Sequence, residues 1–267
     1  MRREQVSVGH KTISYLITEP VTPAVRQRPL STVVFLHAFP LEAAMWEPNL
    51  GAIPDGWRAV APELRGEAGV TMSDLAGDVI DLLDHLRVPR AAVVGCSMGG
   101  YVLFEILKSA PGYLSGVGLV STRPGPDNEE GRKNRQKMIE QADAEGVEAI
   151  AAQMVPKLLG ATTQGTRPDM AGQLRSLIVK NPPDRVKAFI VAMMERGDST
   201  PLLANVEVPA LVMHGAEDAL IPPAEAADMH RRMKHSRLEL IPSSGHLPNL
   251  EQTVAFDTIL WNFLAQL

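Results

Sequence analysis

The sequence contains few of the residues that would indicate a disulfide framework, a membrane segment or a nucleic-acid partner. Cys96 is the single cysteine among 267 residues, which excludes an internal disulfide and is typical of a reducing compartment. The net charge is −5, so neither nucleic acid nor an anionic membrane is predicted as a partner. The longest apolar runs, such as residues 188–194, fall well short of the roughly 18 residues that a membrane-spanning helix needs.

Several short signatures are also missing from the sequence. No group of His, Cys, Asp and Glu has metal-ligand spacing, and neither a phosphate loop nor a dinucleotide fingerprint occurs. After Arg2-Arg3 the N-terminal residues alternate between apolar and polar, unlike the apolar core of a signal peptide. We therefore expect a cytoplasmic protein that uses no cofactor and no metal.

Apolar runs and helical periodicity alternate in both end regions of the chain. Residues 5–18 predict an opening β-hairpin around Gly9-His10, followed by a proline-rich connecting loop from Glu19 to Pro29. One of the later helical patterns begins near Ser73, which is its predicted N-cap. Buried strands are indicated at 32–36, 57–61, 91–94, 116–120, 209–213 and 237–241. The alternation predicts an α/β fold, a mostly parallel central sheet covered by helices on both faces.

The alternation stops between residues 123 and 204, where helical periodicity continues without a convincing strand. We expect about four short helices there, forming a cap inserted into a core made of residues 1–122 and 205–267. The alternative is two more sheet-covering helices joined by long loops.

The residues around Ser97 predict a nucleophile. Gly95, Ser97 and Gly99 form a Gly-x-Ser-x-Gly motif between an apolar strand and a helical segment. A turn tight enough to project the serine hydroxyl leaves no room for side chains two residues away on either side. Cys96 is the alternative nucleophile, but the residue before such a serine is expected to point into the fold.

A serine hydroxyl needs a base, and the base needs a carboxylate that fixes its tautomer. His246 and Asp218 each follow a predicted strand, where open α/β sheets build their sites. The chain order serine, acid, histidine is the order in which this kind of sheet carries a triad. Glu217 is the alternative acid, and His37 and His214, which also end strands, are interpreted as structural hydrogen-bonding residues.

With these motifs the chain resembles the α/β-hydrolase family, and it is most similar to bacterial carboxylesterases and enol-lactonase-like hydrolases. The resemblance covers essentially the whole chain, although Ala38 stands where the family's first loop has glycine. It implies an oxyanion hole made by the backbone N–H groups of Phe39 and Met98, and it makes residues 123–204 the family's variable cap. The matching motifs are His37-Ala38-Phe39-Pro40, Gly-Cys-Ser-Met-Gly-Gly at 95–100, Gly-Ala-Glu-Asp at 215–218 and Gly-His-Leu-Pro-Asn-Leu-Glu at 245–251.

We predict a serine hydrolase that cleaves small, apolar carboxylic esters through an acyl-enzyme. Hydrolysis of an enol-lactone or a carbon–carbon bond on the same triad is the first alternative, and a slow ligand receptor is the second. Met154 and Phe189 are predicted to line the substrate pocket, with few charges apart from Arg123. Arg123 either forms a structural ion pair or meets an anionic substrate.

Overall fold

The computed structural model describes residues 1–9, 11–19 and 30–267 of the chain. The predicted turn residue His10 and, apart from Glu19, the predicted connecting loop from Glu19 to Pro29 lie outside those ranges. The described strands are β1 (Arg2–Val8), β2 (Lys11–Thr18), β3 (Ser31–Leu36), β4 (Trp57–Pro62), β5 (Ala91–Cys96), β6 (Leu114–Val120), β7 (Ala210–Gly215) and β8 (Ser236–Ile241).

These strands form one sheet in the order β1-β2-β4-β3-β5-β6-β7-β8. Six neighbouring strands of this sheet, β4, β3, β5, β6, β7 and β8, pair in parallel. At the β4 edge, β2 pairs antiparallel with β4, and β1 pairs antiparallel with β2. All residues of β5 and β7 are buried, as expected for apolar strands covered on both faces. The parallel strands end at a common edge, which brings together the segments that follow Leu36, Cys96 and Gly215.

Helices cover both faces of the sheet and also fill the interval between β6 and β7, so the predicted α/β class with a mostly parallel sheet is confirmed. Among the helices outside that interval, α2 packs against α3, and α1 packs against α11. The helices are α1 (Glu47–Gly51), α2 (Met72–His85), α3 (Met98–Ser109), α4 (Glu129–Glu145), α5 (Val147–Leu158), α6 (Ala161–Thr166), α7 (Asp169–Ile178), α8 (Pro183–Met194), α9 (Pro223–Arg232), α10 (Pro248–Glu251) and α11 (Thr253–Leu264).

The start of α2 differs from the sequence prediction. Thr71, not Ser73, is the N-cap, and its hydroxyl accepts the N–H of Asp74 at 3.1 Å. The Asp74 carboxylate in turn accepts the N–H of Thr71 at 2.9 Å. This reciprocal capping box satisfies two backbone N–H donors. A helix capped by Ser73 would have no carboxylate at its third position to make the second of these hydrogen bonds.

The interval between β6 and β7 holds five helices, α4 to α8, rather than about four. The first of them, α4, has 17 residues, and Gly146 with φ +78° separates it from α5. A left-handed residue ends one helix and lets the chain turn at once into the next. Within residues 121–209, all of which the structure describes, no strand interrupts these helices. We refer to α4–α8 as the inserted helices.

Three aromatic side chains pack together beside β3. The Phe35 and Trp46 rings lie 4.9 Å apart, and Phe256 of α11 lies 6.0 Å from Trp46. All three side chains are fully buried, so this cluster joins β3 to the closing helix. The segment that follows β3 is thereby fixed at the edge where the candidate site lies.

Candidate active site

Ser97 occupies a strained turn between β5 and α3. Its φ of +52° lies in the left-handed region that few non-glycine residues adopt. Its backbone is fixed by neighbours: Ser97 N–H donates to Val120 O at 2.9 Å, and Thr122 Oγ1 donates to Ser97 O at 2.9 Å. The structure thus holds the serine backbone in a conformation that the isolated chain would avoid.

The two motif glycines permit this turn. A Cβ at Gly95 would lie 2.3 Å from Gly99 O, and a Cβ at Gly99 would lie 2.2 Å from Leu36 O. Both separations are far below van der Waals contact with backbone atoms that cannot move independently. Larger residues at either position would therefore separate α3 from the sheet.

His246 and Asp218 form a hydrogen-bonded pair. His246 Nδ1 lies 2.8 Å from Asp218 Oδ2, and both side chains are buried. Burial alone would raise the pKa of the Asp218 carboxyl, but His246, His214 and the Ile221 N–H together hold that pKa well below its usual range. The carboxylate is therefore ionised at neutral pH and can fix the proton of His246 on Nδ1, leaving Nε2 as an acceptor.

A second histidine also contacts this carboxylate. His214 Nε2 lies 3.1 Å from Asp218 Oδ2 and 2.8 Å from Ile221 O. A ring nitrogen between two acceptors must carry the proton, so His214 donates to the acid and is itself held by β7. The sequence marks His214 as a structural residue at a strand end, but it does not reveal the contact with Asp218.

The remaining predicted alternatives lie elsewhere. The Glu217 carboxylate accepts the N–H and hydroxyl of Thr162 at the start of α6, at 2.8 and 2.5 Å, and does not contact His246. Cys96 is fully buried, and burial raises the pKa of its thiol. His37 is buried too, which lowers the pKa of its ring to about 4, and its Nε2 accepts the N–H of Leu64 at 3.2 Å.

Ser97 and His246 open into one cavity of about 370 Å³. This volume lies within the range of small-molecule sites, about 300–1,000 Å³. The inserted helices α4, α5 and α8 provide much of the wall. Its apolar part includes Phe39, Met138, Met154, Met193, Leu220 and Ile221.

Two of the three predicted pocket residues reach this cavity. Arg123 and Met154 line it, whereas Phe189 does not. Phe189 is buried between other groups: its ring lies 5.9 Å from the His37 ring and 5.3 Å from the Arg185 guanidinium. The apolar periodicity of α8 predicts that Phe189 is buried, but it does not distinguish packing against the core from facing the cavity.

The predicted oxyanion donors lie at the expected strand end. Phe39 lines the cavity, and its loop is closed by Leu41 N–H donating to Ala38 O at 2.9 Å. Met98 is the first residue of α3, so the helix itself offers no acceptor for its N–H. Ala38 replaces a glycine of the family's motif here, and its N–H is taken up by Met45 Sδ at 3.2 Å.

Glu251 fixes the loop that carries His246. Its buried carboxylate accepts the N–H groups of Gly245 at 2.8 Å, of Leu247 at 3.3 Å and of Gly160 at 2.8 Å. His246 N–H donates to Leu158 O at 3.0 Å. The histidine loop is therefore bound directly to the inserted helices. The sequence motif at 245–251 includes Glu251 but does not indicate this role.

The polar part of the cavity wall is more charged than predicted. Asp127, Arg135 and Lys157 line the cavity beside Arg123. The Asp127 carboxylate is almost fully buried, and although burial raises its pKa, hydrogen bonds from Arg196 and Arg135 hold that pKa well below its usual range. In the sequence, the charged residues of α4 look like those of a helix face that is exposed to solvent. The neighbouring residues therefore do not indicate that Arg135 faces the cavity.

The described residues contain neither a metal-binding cluster nor a membrane-spanning helix. In residues 1–9, 11–19 and 30–267, no group of three or more His, Cys, Asp or Glu side chains could hold a metal ion. Over the same part of the chain, no helix is both long enough and apolar enough to cross a membrane.

Known proteins with similar sequences and structures include lactonases and esterases. The chain is 23% identical to 3-oxoadipate enol-lactonase 2 of Acinetobacter baylyi, over 84% of this chain and 85% of that protein. It is 25% identical to pimeloyl-[acyl-carrier protein] methyl ester esterase of Pectobacterium carotovorum, over 84% and 90% respectively. The solved structure of a thermophilic esterase from Thermogutta terrifontis, with malate bound, superposes with a TM-score of 0.89 at 31% identity, covering 100% of this chain and 99% of that one.

The family match covers most of the chain and includes the residues described above. The alpha/beta hydrolase fold family matches residues 31–253, which contain Ser97, Asp218 and His246. The predicted resemblance is confirmed, and the protein belongs to the alpha/beta hydrolase fold family.

Proposed function

We propose that this protein is a serine hydrolase that cleaves small carboxylic esters through an acyl-enzyme. The observation that carries the proposal is the shared cavity of Ser97 and His246, with His246 bound to an ionised Asp218 at 2.8 Å. Esterases among the related proteins support the same reaction class. In the cleavage, Ser97 Oγ attacks the ester carbonyl while His246 Nε2 takes its proton.

The same residues complete the turnover. His246 returns the proton to the leaving alcohol, and a water then repeats the attack on the acyl group with His246 again as base. The N–H groups of Phe39 and Met98 are proposed to stabilise the oxyanion, and the dipole of α3 adds to this stabilisation. The apolar wall with Met138, Met154 and Met193 suits an apolar part of the substrate.

Enol-lactone hydrolysis is the second candidate, favoured by the similarity to an enol-lactonase. A lactone is a cyclic ester, so the same attack opens its ring, and the alcohol remains part of the released acid. Comparing the kcat/KM of an enol-lactone with that of an open-chain ester of equal size decides between them. A receptor on this fold, the third possibility, would turn over neither compound at an enzymatic rate.

The decisive experiment labels and removes the nucleophile. An organophosphorus probe is expected to attach to Ser97, and Ser97→Ala should lower aryl-ester turnover by several orders of magnitude with unchanged circular dichroism. Probe attachment at Cys96, with Ser97→Ala still active, would contradict the assignment. A wild-type protein that neither reacts with the probe nor hydrolyses esters would favour the receptor.

A further inference from the structure

The cavity wall contributed by α4, α5 and the segment before α4 carries more positive than negative charge. Arg123, Arg135 and Lys157 line the cavity, and Asp127 is the one carboxylate among the described residues of that lining. Three guanidinium groups bind this carboxylate: Arg196 and Arg123 at 2.9 Å each, and Arg135 through its Nε. In the cluster around Asp127, without Lys157, one negative charge against three guanidinium charges leaves two positive charges in excess.

Arg196 is the structural partner of Asp127. Both of its terminal nitrogens donate to the protein, to Met193 O at 2.6 Å and to Gly125 O and Asp127 Oδ1 at 3.0 and 2.9 Å. Its guanidinium lies over the Tyr101 ring at 4.1 Å and is buried. The pair of Arg196 and Asp127 is therefore electrically complete without the other two arginines.

Arg123 and Arg135 keep donors that this network does not use. Arg123 gives one terminal nitrogen to Asp127, and its buried Nε has no partner among the described residues. Arg135 gives its Nε to Asp127, and its Nη1 contacts Met193 Sδ at 3.5 Å, a weak acceptor. Each guanidinium therefore has Asp127 as an acceptor but keeps N–H groups without one. Leaving partly buried donors unsatisfied is costly, so two such groups that share one carboxylate suit a further anionic ligand.

We propose that Arg123 and Arg135 bind a carboxylate of the substrate, so that the preferred ester or lactone is a half-ester of a small dicarboxylic acid or a similar acid-bearing compound. This inference rests on the proposed function. A guanidinium offers paired N–H groups that match the two oxygens of a carboxylate. The methionines of the apolar wall would pack against the carbon chain between the ester and the acid.

A pair of matched esters tests this specificity. Monomethyl adipate carries a carboxylate, and methyl 6-methylheptanoate has an isopropyl group of nearly the same shape in its place. We expect the wild-type kcat/KM, measured as methanol release, to favour the anionic ester on the order of 10- to 100-fold, the size of a charge-assisted hydrogen bond. Arg135→Gln should reduce this ratio at least tenfold.

The variant is chosen so that the fold survives and a control exists. Arg135→Gln leaves Asp127 paired with Arg123 and Arg196, so no buried carboxylate loses all its partners. Lys133→Gln removes the same charge from the same helix at a side chain that is 68% exposed and paired with Glu129. The ratio should stay at its wild-type value in Lys133→Gln, because a solvated charge is screened.

Binding to Ser97→Ala separates this proposal from the proposed function. Calorimetry with monomethyl adipate should show binding that weakens about tenfold when Arg135→Gln is added. If the wild-type protein cleaves no ester but this binding is seen, the hydrolase assignment fails and the carboxylate site stands. The carboxylate site is overturned if a wild-type protein that cleaves esters does not prefer the anionic one, if Arg135→Gln leaves that preference unchanged, or if Ser97→Ala binds no monomethyl adipate.

Discussion

Asp218→Asn is the sharpest test of the proposed triad, because four donors surround this carboxylate. Leu220 and Ile221 N–H groups donate to Oδ1 at 2.9 and 3.0 Å. His246 Nδ1 and His214 Nε2 lie 2.8 and 3.1 Å from Oδ2. An asparagine has one acceptor oxygen and one NH₂ group, so it cannot satisfy both pairs of donors.

The geometry decides which orientation the asparagine adopts. Placing its NH₂ at Oδ1 would leave two backbone N–H groups without an acceptor, at roughly 1–3 kcal/mol each. Placing its NH₂ at Oδ2 keeps those bonds, and His214 retains Ile221 O as an acceptor at 2.8 Å. The amide then donates to His246 Nδ1, which moves the ring proton to Nε2, where it blocks acceptance of the Ser97 proton.

We therefore expect kcat to fall by about 10⁴-fold, close to 5 kcal/mol of transition-state stabilisation, with a smaller change in KM. Saturation kinetics on an aryl ester measure this, and denaturant unfolding reports whether the fold is retained. Glu217→Gln is the control, since its carboxylate contacts only the start of α6 and should leave kcat within about twofold. A variant Asp218→Asn that keeps a tenth of the activity, or a larger loss in Glu217→Gln, would refute the triad as assigned.

Two other predictions concern burial. Burial raises the pKa of Asp257 to about 6. This carboxyl therefore binds a proton more tightly in the folded than in the unfolded chain, and the free energy of unfolding falls as the pH rises from about 4 through 6. Asp257→Asn keeps an acceptor for the Asn49 side chain and should raise the free energy of unfolding at pH 8 by up to about 3 kcal/mol. Urea unfolding measured at several pH values should show that this gain disappears near pH 4. Met154→Ala should shift ester preference towards longer acyl chains, whereas Phe189→Ala should cost about 3–5 kcal/mol of stability and leave that preference unchanged. A preference that follows Phe189 instead would place the substrate on the other side of α8.

The fold class and the proposed triad could be predicted because steric rules fix them locally. The glycines around Ser97 are required by backbone contacts of 2.3 and 2.2 Å, and any chain that makes this turn needs them. Apolar strand runs and the parallel sheet then place the segments carrying Asp218 and His246 at the same edge. These inferences need no knowledge of distant partners.

The cavity wall could not be predicted in the same way. Asp127 and Arg196 are 69 residues apart, and nothing in either neighbourhood indicates that they meet. Helical periodicity predicts that Phe189 is buried, but it does not predict which residues the side chain packs against. The sequence does not distinguish the N-cap of α2 for a related reason. Thr71 and Ser73 can both cap a helix, and the choice depends on the reciprocal hydrogen bonds between Thr71 and Asp74.

Gly160→Ala tests whether the inserted helices position His246, the proposed catalytic base, as well as the substrate. Gly160 does not line the cavity, yet a Cβ there would lie 2.7 Å from Gly245 N and 2.9 Å from the Ser244 carbonyl carbon. The backbone before His246 would have to move by several tenths of an ångström, although alanine is otherwise compatible with this helix start.

Displacement of a catalytic group by ~1 Å can cost 10²-fold in rate, so we expect kcat to fall roughly tenfold in Gly160→Ala. Gly165→Ala in α6 is the matched control, because a Cβ at that position meets nothing within 4 Å and should stabilise the helix slightly. Steady-state kinetics and thermal unfolding of the two variants suffice. Equal kcat values in both would mean that the histidine loop holds its position without the inserted helices, and that the contacts of Leu158 and Gly160 serve only to attach those helices to the core.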